Sequence, residues 1–188
     1  AIQSGLPENC LFQAEQRDEI SALLSCHESV DLLIPRGSNA FVQYIMDHTK
    51  IPVMGHADGI CHIYVDKAFD IDKAVPVLID AKTQYTAACN AVETLLVHKD
   101  AVERLMPRLS QALKEHHVEL RATADIASQY DSIQATEEDF ETEYLDLILS
   151  AKTVESIDEA VIHINKYGSH HTDCIITEDQ TAAEYFMR

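Results

Sequence analysis

Short, nearly all-apolar runs alternate along the chain with segments whose apolar residues recur every three or four positions. Runs such as VDLLIP (30–35) and ETLLVH (93–98) are typical of strands that are buried on both faces. The segment DAVERLMPRLSQALKEHH (100–117) has instead the period of an amphipathic helix. Because repeated strand–helix alternation requires parallel strands joined by crossover helices, the sequence predicts an α/β protein with a parallel sheet and helices on both faces.

The same periodicities predict the other elements. Further strands are expected in IPVMG (51–55), GICHIYVD (59–66), VELRAT (118–123), YLDLILSAKTV (144–154) and DCIIT (173–177). Further helices are expected in RDEISALLSCH (17–27), NAFVQYIMDHT (39–49), DIDKAVPVLIDAKTQ (70–84), DIASQYD (125–131), SIDEAVIHINKYG (156–168) and EDQTAAEYFM (178–187). We expect Asp100 and Ser156 to cap the helices that follow them.

The charge balance excludes one class of partner. Fourteen Lys and Arg residues stand against 32 Asp and Glu residues, which gives a formal net charge of −18. We expect no nucleic-acid partner, because phosphates would be repelled and such a partner needs a basic stripe. Seven acidic residues without Lys or Arg lie in DSIQATEEDFETEYLD (131–146), which is either a solvated loop or edge, or a functional segment.

Neither the apolar runs nor the cysteines indicate a membrane, secreted or metal-binding protein. The longest apolar runs are too short to cross a bilayer, and the amino terminus lacks a basic-then-apolar signal pattern, so we expect a cytoplasmic protein. Five cysteines lie at positions 10, 26, 61, 89 and 174 without a CxxC pair. Free thiols in a reducing compartment fit this spacing, and we expect no metal site.

One cysteine has unusually small neighbours. In QYTAACNAVETLLVHKD (84–100), Cys89 lies between Ala88 and Asn90, just ahead of a predicted strand. It is either a small packing residue at a tight junction or a thiol with room for a substrate. A thiolate attacks carbonyl carbon well, and the resulting oxyanion can be held by the backbone N–H of the cysteine and nearby amides.

Two turns near predicted strand ends could bind a ligand. In LIPRGSN (33–39), Gly37 and Ser38 precede a helix whose free N–H groups suit a phosphate, although the same pattern is the ordinary way to begin a helix. In GHADGICH (55–62), His56 lies in a glycine-bracketed loop that is either a ligand loop or a connecting turn. Cys61 and His62 point to opposite faces of a strand and cannot share a metal, so Cys61 is expected in the core.

A third polar cluster lies in YGSHHTDC (167–174), between a helix end and a strand. His170, His171 and Thr172 could bind a phosphate or a carboxylate, or take part in proton transfer. Adjacent histidines are also common on protein surfaces, and the sequence pattern alone leaves both interpretations open.

Four of these motifs together resemble one family. DLLIPRGSN, IPVMGHADGICHIYVD, AKTQYTAACNAVETLLVHKD and SIDEAVIHINKYGSHHTDCIITED resemble, in the same order, the gamma-glutamyl phosphate reductases of the aldehyde dehydrogenase superfamily. The resemblance implies NADPH-dependent reductive dephosphorylation of L-glutamyl 5-phosphate to L-glutamate 5-semialdehyde, in proline biosynthesis. It implies a thioester on the cysteine, which hydride from NADPH converts to a thiohemiacetal that releases the aldehyde.

The resemblance also assigns residues to the reaction. Cys89 would be the catalytic thiol, with Asn90 beside the developing oxyanion. Gly37 and Ser38 would lie in the cofactor region, and Glu141 or, in the register that we adopt, Glu143 would contact the ribose on the nicotinamide side. The GHADG loop would occupy the place of a general-base glutamate, which this chain lacks there because release of phosphate needs no activated water.

For the substrate, the resemblance implies His56, His170, His171 and Thr172 as binding residues. It implies that residues 1–56 are the carboxyl-terminal part of a Rossmann-like NADP-binding domain and residues 57–188 an incomplete catalytic domain. We therefore expect a fragment of an enzyme that is a homo-oligomer at full length. The alternatives are another thiol-dependent acyl-phosphate or aldehyde dehydrogenase, or a non-catalytic piece of the same enzyme.

Overall fold

The computed structural model of the chain describes residues 3, 5–8, 10–14, 17–37, 39–55 and 58–188. The chain divides into two compact units, Ala1–Ala57 and Asp58–Arg188. No helix among these described residues is long and apolar enough to cross a membrane.

The first unit contains helix α1 (Arg17–Leu23) and helix α2 (Asn39–His48). The helix predicted over 17–27 therefore ends four residues early. The strands predicted over 30–35 and 51–55 are reduced to one parallel bridge between Leu33 and Val53. Two paired segments alone have only marginal stability. In this pair the backbone hydrogen bonds are the two that Leu33 makes, with Pro52 and Met54.

The second unit is built around a six-stranded sheet in the order β4-β3-β5-β2-β1-β6. Every neighbouring pair in this sheet is parallel. The strands are β1 (Cys61–Val65), β2 (Val92–His98), β3 (Glu119–Ala122), β4 (Ile133–Gln134), β5 (Ile148–Val154) and β6 (Asp173–Ile176). The predicted parallel α/β architecture is confirmed.

Helices connect these strands, and a last helix follows β6. They are α3 (Ile71–Thr83), α4 (Lys99–Glu115), α5 (Ala124–Ala127), α6 (Glu137–Phe140), α7 (Ile157–Tyr167) and α8 (Gln180–Phe186). Ser156 caps α7 as predicted, because its side chain accepts the Glu159 N–H. The predicted cap of α4 is wrong: His98 is the cap residue, and its ring Nδ1 accepts the Asp100 N–H at 3.1 Å.

Strands β1 and β2 are covered on both faces, which explains their nearly continuous apolar sequences. On one face, Leu95 of β2 belongs to the main core together with residues of α3 and α4 such as Leu78 and Leu105. On the other face, Leu96 packs in a second cluster with Ile164 of α7. Every residue of β1 and β2 is buried, so neither face of these two strands is exposed to solvent.

Truncation of a side chain in the second cluster tests this packing. Leu96→Ala is expected to lower the free energy of unfolding by about 2–5 kcal/mol, because the side chain is fully buried and its removal leaves a cavity. Urea unfolding followed by circular dichroism measures the change. Ile162→Ala, at a residue that is 67% exposed on α7, is the control and should change stability by less than about 0.5 kcal/mol. Equal losses in the two variants would contradict the two-layer core.

Candidate active site

The segments that carry the candidate residues lie at the amino ends of four adjacent strands. Gly59 precedes β1, Cys89 precedes β2, Glu143 precedes β5, and residues 170–172 precede β6. Since β5, β2, β1 and β6 are neighbours and parallel, the four segments line one end of the sheet. Open α/β sheets usually bind ligands at the carboxyl ends of their strands, so the candidate site lies at the opposite end from that rule.

Cys89 lies in the turn that connects α3 to β2. Within this turn, the Ala91 N–H donates to the Ala88 carbonyl oxygen at 2.9 Å. Cys89 is half-buried, and Asn90 beside it is exposed. The thiol is therefore not sealed inside apolar packing, which is the condition that a nucleophilic role requires.

Gly59 brings the Cys89 turn and Glu143 together. Its N–H donates to Glu143 Oε1 at 2.8 Å. A Cβ atom at Gly59 would lie 2.3 Å from the Cys89 carbonyl oxygen and 2.7 Å from Glu143 Oε1. Because no larger side chain fits without moving the backbone, the close approach requires glycine here. Sequence reasoning noted this glycine as one side of a loop and missed its packing role.

Of the two glutamates considered for the cofactor, it is the Glu143 carboxylate that reaches this site. Glu141 is exposed, and its backbone N–H closes the end of α6 on Glu138. Glu143 is half-buried. Its hydrogen bond to the Gly59 N–H spans 84 positions of sequence, which no local pattern could have predicted.

The loop that carries the paired histidines is tied to β1. The Ile60 N–H donates to Ser169 Oγ at 3.0 Å, and the His62 N–H donates to Asp173 Oδ1 at 3.2 Å. His170 has φ of 58°, in the left-handed region that a non-glycine residue rarely adopts. Residues 170–172 are exposed between these two anchors, so a polar loop is held at a fixed place beside the Cys89 turn.

Cys61 connects these two parts of the site. Its Sγ donates to the Cys89 carbonyl oxygen at 3.2 Å. Burial raises the pKa of the Cys61 thiol to about 11, although a hydrogen bond from the Thr172 backbone amide opposes the shift. The group is therefore a protonated thiol at neutral pH, which can donate this hydrogen bond. Cys61 is buried, as the sequence predicted.

Two histidines, His62 and His163, are buried, and the sequence pattern did not predict that they pack together. The rings of His62 and His163 meet edge to face with centroids 5.5 Å apart, and their nitrogens make no hydrogen bonds. His62 Nδ1 lies 3.3 Å from Asp173 Oδ1, but not at a hydrogen-bonding angle. Burial, with a smaller contribution from His62, lowers the pKa of His163 to about 3, so this ring packs as a neutral aromatic group.

Sequence reasoning also missed a buried ion pair. Lys82 Nζ lies 2.6 Å from Glu93 Oε2, and both side chains are almost completely buried. Burial lowers the pKa of Lys82 and raises the pKa of Glu93, and each shift is opposed by the partner charge. The signal was a glutamate inside the apolar run ETLLVH, since a carboxylate in a buried strand needs a partner.

The acidic segment 131–146 is partly organised rather than uniformly solvated. Asp139 is buried and accepts a hydrogen bond from Arg121 Nη1 at 2.8 Å. Burial alone would raise the pKa of Asp139, but hydrogen bonds from Arg121, Thr136 and Tyr144 lower it to about 2. The segment thus has a fixed anchor at Asp139, four residues before Glu143.

The remaining predicted residues belong to other parts of the chain. His56 and Ser38 lie outside the described residues. Gly37 lies in the first unit just before α2, with φ of 152°, and a Cβ there would lie 2.9 Å from Phe41 Cδ1. Among the described residues, no group of three or more His, Cys, Asp or Glu side chains could hold a metal ion.

Residues 1–139 match the model of the aldehyde dehydrogenase family. The chain therefore belongs to the aldehyde dehydrogenase family, as the resemblance of its motifs implied.

Within that family, several relatives at 50–58% identity are gamma-glutamyl phosphate reductases. A gamma-glutamyl phosphate reductase of Synechococcus sp. is 54% identical over 194 residues, which cover 100% of this chain and 43% of the relative. Gamma-glutamyl phosphate reductase 1 of Synechocystis sp. is 58% identical over 172 residues, which cover 92% of this chain and 40% of the relative. The resemblance predicted from the motifs is confirmed, and the chain spans less than half the length of these relatives.

A solved structure agrees. The crystal structure of gamma-glutamyl phosphate reductase from Thermotoga maritima superimposes with a TM-score of 0.87 at 39% identity. The superposition covers 92% of this chain and 42% of that one. The predicted aldehyde dehydrogenase-like fold is therefore confirmed.

Substitution of the glycine at the centre of the site tests its packing. Gly59→Ala is expected to destabilise the protein by about 1–3 kcal/mol, because the new methyl group overlaps the Cys89 carbonyl oxygen. Thermal unfolding measures the loss, and the iodoacetamide alkylation rate of Cys89 should change with it because the turn must shift. Unchanged stability and an unchanged alkylation rate would contradict the close approach.

Proposed function

We propose that the chain is part of an enzyme that reduces L-glutamyl 5-phosphate to L-glutamate 5-semialdehyde with NADPH, in proline biosynthesis. The observation that carries the proposal is the half-buried Cys89, whose carbonyl oxygen contacts both Gly59, the partner of Glu143, and the Cys61 thiol, beside which the Thr172 backbone amide lies. The names of the relatives support the same reaction. We further propose that the complete enzyme is a cytoplasmic homo-oligomer.

In this proposal Cys89 is the nucleophile. Its thiolate attacks the acyl carbon of the substrate, and a carbon–sulfur bond forms while the carbon–oxygen bond to phosphate breaks. The phosphate leaves with the electron pair of that bond, and the acyl group stays on Cys89 as a thioester. The exposed Asn90 and the backbone N–H of Cys89 stabilise the negative charge that develops on the acyl oxygen.

We assign the substrate's charged groups to the loop before β6. His170, His171 and Thr172 are exposed polar side chains, and His171 Nδ1 lies 2.9 Å from Thr172 Oγ1. Such groups suit a phosphate or a carboxylate. We keep His56 in the same role as a proposal from the family resemblance.

The cofactor assignment rests on the donor set. Glu143 presents a half-buried carboxylate, and a carboxylate has acceptor positions beyond the one that the Gly59 N–H uses, which suits the hydroxyl groups of a ribose. Gly37 and Ser38 are proposed to approach the cofactor through the backbone before α2. When bound, the nicotinamide supplies the hydride that reduces the acyl group. Residues 1–56 would then belong to the NADP-binding domain and residues 57–188 to the catalytic domain.

A cysteine variant tests the nucleophile. In the full-length enzyme that carries this chain, Cys89→Ala is expected to lower turnover by roughly 10⁴-fold or more, because no other group takes over the covalent step. Loss of NADPH absorbance with kinase-generated glutamyl phosphate measures the rate. Cys26→Ala, at an exposed cysteine of the first unit, is the control and should keep full activity. Full turnover by Cys89→Ala would exclude the proposed role.

Thiol labelling gives an independent test. Iodoacetamide at pH 8 is expected to alkylate Cys89 well before Cys61 and Cys174, because burial raises the pKa of both latter thiols. With a pKa of about 11, only about one Cys61 in a thousand is a thiolate at that pH. Peptide mass spectrometry follows each site, with the exposed Cys10 as the reference for accessibility. Labelling of Cys89 no faster than Cys61 would contradict the assignment.

A further inference from the structure

The buried ion pair joins the two ends of the Cys89 turn. Lys82 is the second-last residue of α3, and Glu93 is the second residue of β2. The segment between them, 84–91, contains Cys89 and both of its small neighbours. The 2.6 Å contact between Lys82 Nζ and Glu93 Oε2 therefore fixes where this turn leaves the helix and where it enters the sheet.

Stability alone does not account for this pair. Of the ion pairs among the described residues, it is the one in which both side chains are at most 1% exposed. Removing two charges from water costs several kcal/mol per ion, and apolar residues of similar size stabilise a core equally well or better. In some proteins a buried pair of this kind fixes local geometry, and this pair is a candidate for that role.

The second carboxylate oxygen of Glu93 extends the contact to the Glu143 turn. Glu93 Oε1 accepts the Leu145 N–H at 3.3 Å. Leu145 has φ of 55°, in the left-handed region, which a leucine holds only when surrounding contacts impose it. Tyr144 lies between Glu143 and Leu145 in the sequence. Its hydroxyl donates to Asp139 Oδ1 at 2.9 Å, and the centroid of its ring lies 6.0 Å from Lys82 Nζ.

The Glu93 carboxylate thus contacts residues beside two turns, the one that carries Cys89 and the one that carries Glu143. Through Lys82 it holds the turn that carries Cys89, and through the Leu145 N–H it holds the turn that carries Glu143. Glu143 in turn meets the Gly59 N–H, where Gly59 packs against the Cys89 carbonyl oxygen. These contacts close a circuit around the candidate site.

We propose that Lys82 and Glu93 are positioning residues of the reaction, which set the placement of the Cys89 thiol relative to the Glu143 carboxylate. This inference rests on the proposed function. Neither residue touches the loop at residues 170–172, which is anchored to β1 by separate hydrogen bonds. Loss of the pair should therefore lower kcat while the KM for glutamyl phosphate changes little.

Two charge-neutral double variants of the full-length enzyme separate the contacts. Lys82→Met/Glu93→Gln removes the ion pair but keeps an oxygen that can accept the Leu145 N–H. Lys82→Met/Glu93→Leu removes both contacts. Neither leaves an unpaired buried charge, so both are expected to keep the wild-type melting temperature or exceed it. The matched control is Lys114→Met/Asp131→Asn, which removes an exposed ion pair with a distance of 2.9 Å.

We expect kcat to fall by about 10- to 100-fold in Lys82→Met/Glu93→Leu, because a misplaced reacting group costs about that much. Lys82→Met/Glu93→Gln should lie between this variant and the wild type, and the control should match the wild type. The alkylation rate of Cys89, measured without cofactor, should change in the same order. This second measurement does not depend on turnover.

Wild-type kcat and alkylation rates in both double variants would overturn the proposal. The proposal would also be overturned if both double variants lost the same fraction of kcat and both had a lower melting temperature, since this result indicates a purely structural role. If the Leu variant does not fold, the Gln variant decides through its alkylation rate and its unchanged melting temperature. The proposed function itself would fail in a distinguishable way, because the wild-type enzyme would then lack reductase activity or the Cys89→Ala variant would retain full reductase activity.

Discussion

Burial of strands β1 and β2 on both faces is the constraint on which the rest of the second unit depends. Because β1 and β2 are covered by helices on either side, their middle residues cannot present polar groups to solvent. Reactive side chains can then lie only where strands begin or end. The chain places Gly59, Cys89, Glu143 and the paired histidines at the amino ends of four neighbouring strands.

The parts of this arrangement that depend on local patterns could be predicted from the sequence. The apolar run ETLLVH and the helical period after it place β2 and α4 almost to the residue, and the small neighbours of Cys89 single out that thiol. Contacts between distant segments could not be predicted. The hydrogen bond from the Gly59 N–H to Glu143 depends on the order of strands in the sheet, which sequence periodicity does not encode.

Where prediction failed, tertiary context decided the outcome. The runs VDLLIP and IPVMG have the composition of buried strands, yet within the described residues of the first unit they pair only with each other, at one bridge. Strand propensity reports how well a side chain fits a covered sheet, so it is not sufficient without further strands. His98, and not Asp100, caps α4 because its ring Nδ1 accepts the backbone N–H of Asp100, two residues later.

The circuit around Cys89 also has a kinetic consequence. Its contacts join positions 52 and 84 residues apart, and the anchors of the histidine loop span 109 and 111 residues. Contacts of such long sequence separation must overcome a large loss of chain entropy before they form, which slows folding. The surroundings of Cys89 are therefore complete only after segments that are distant in sequence have paired.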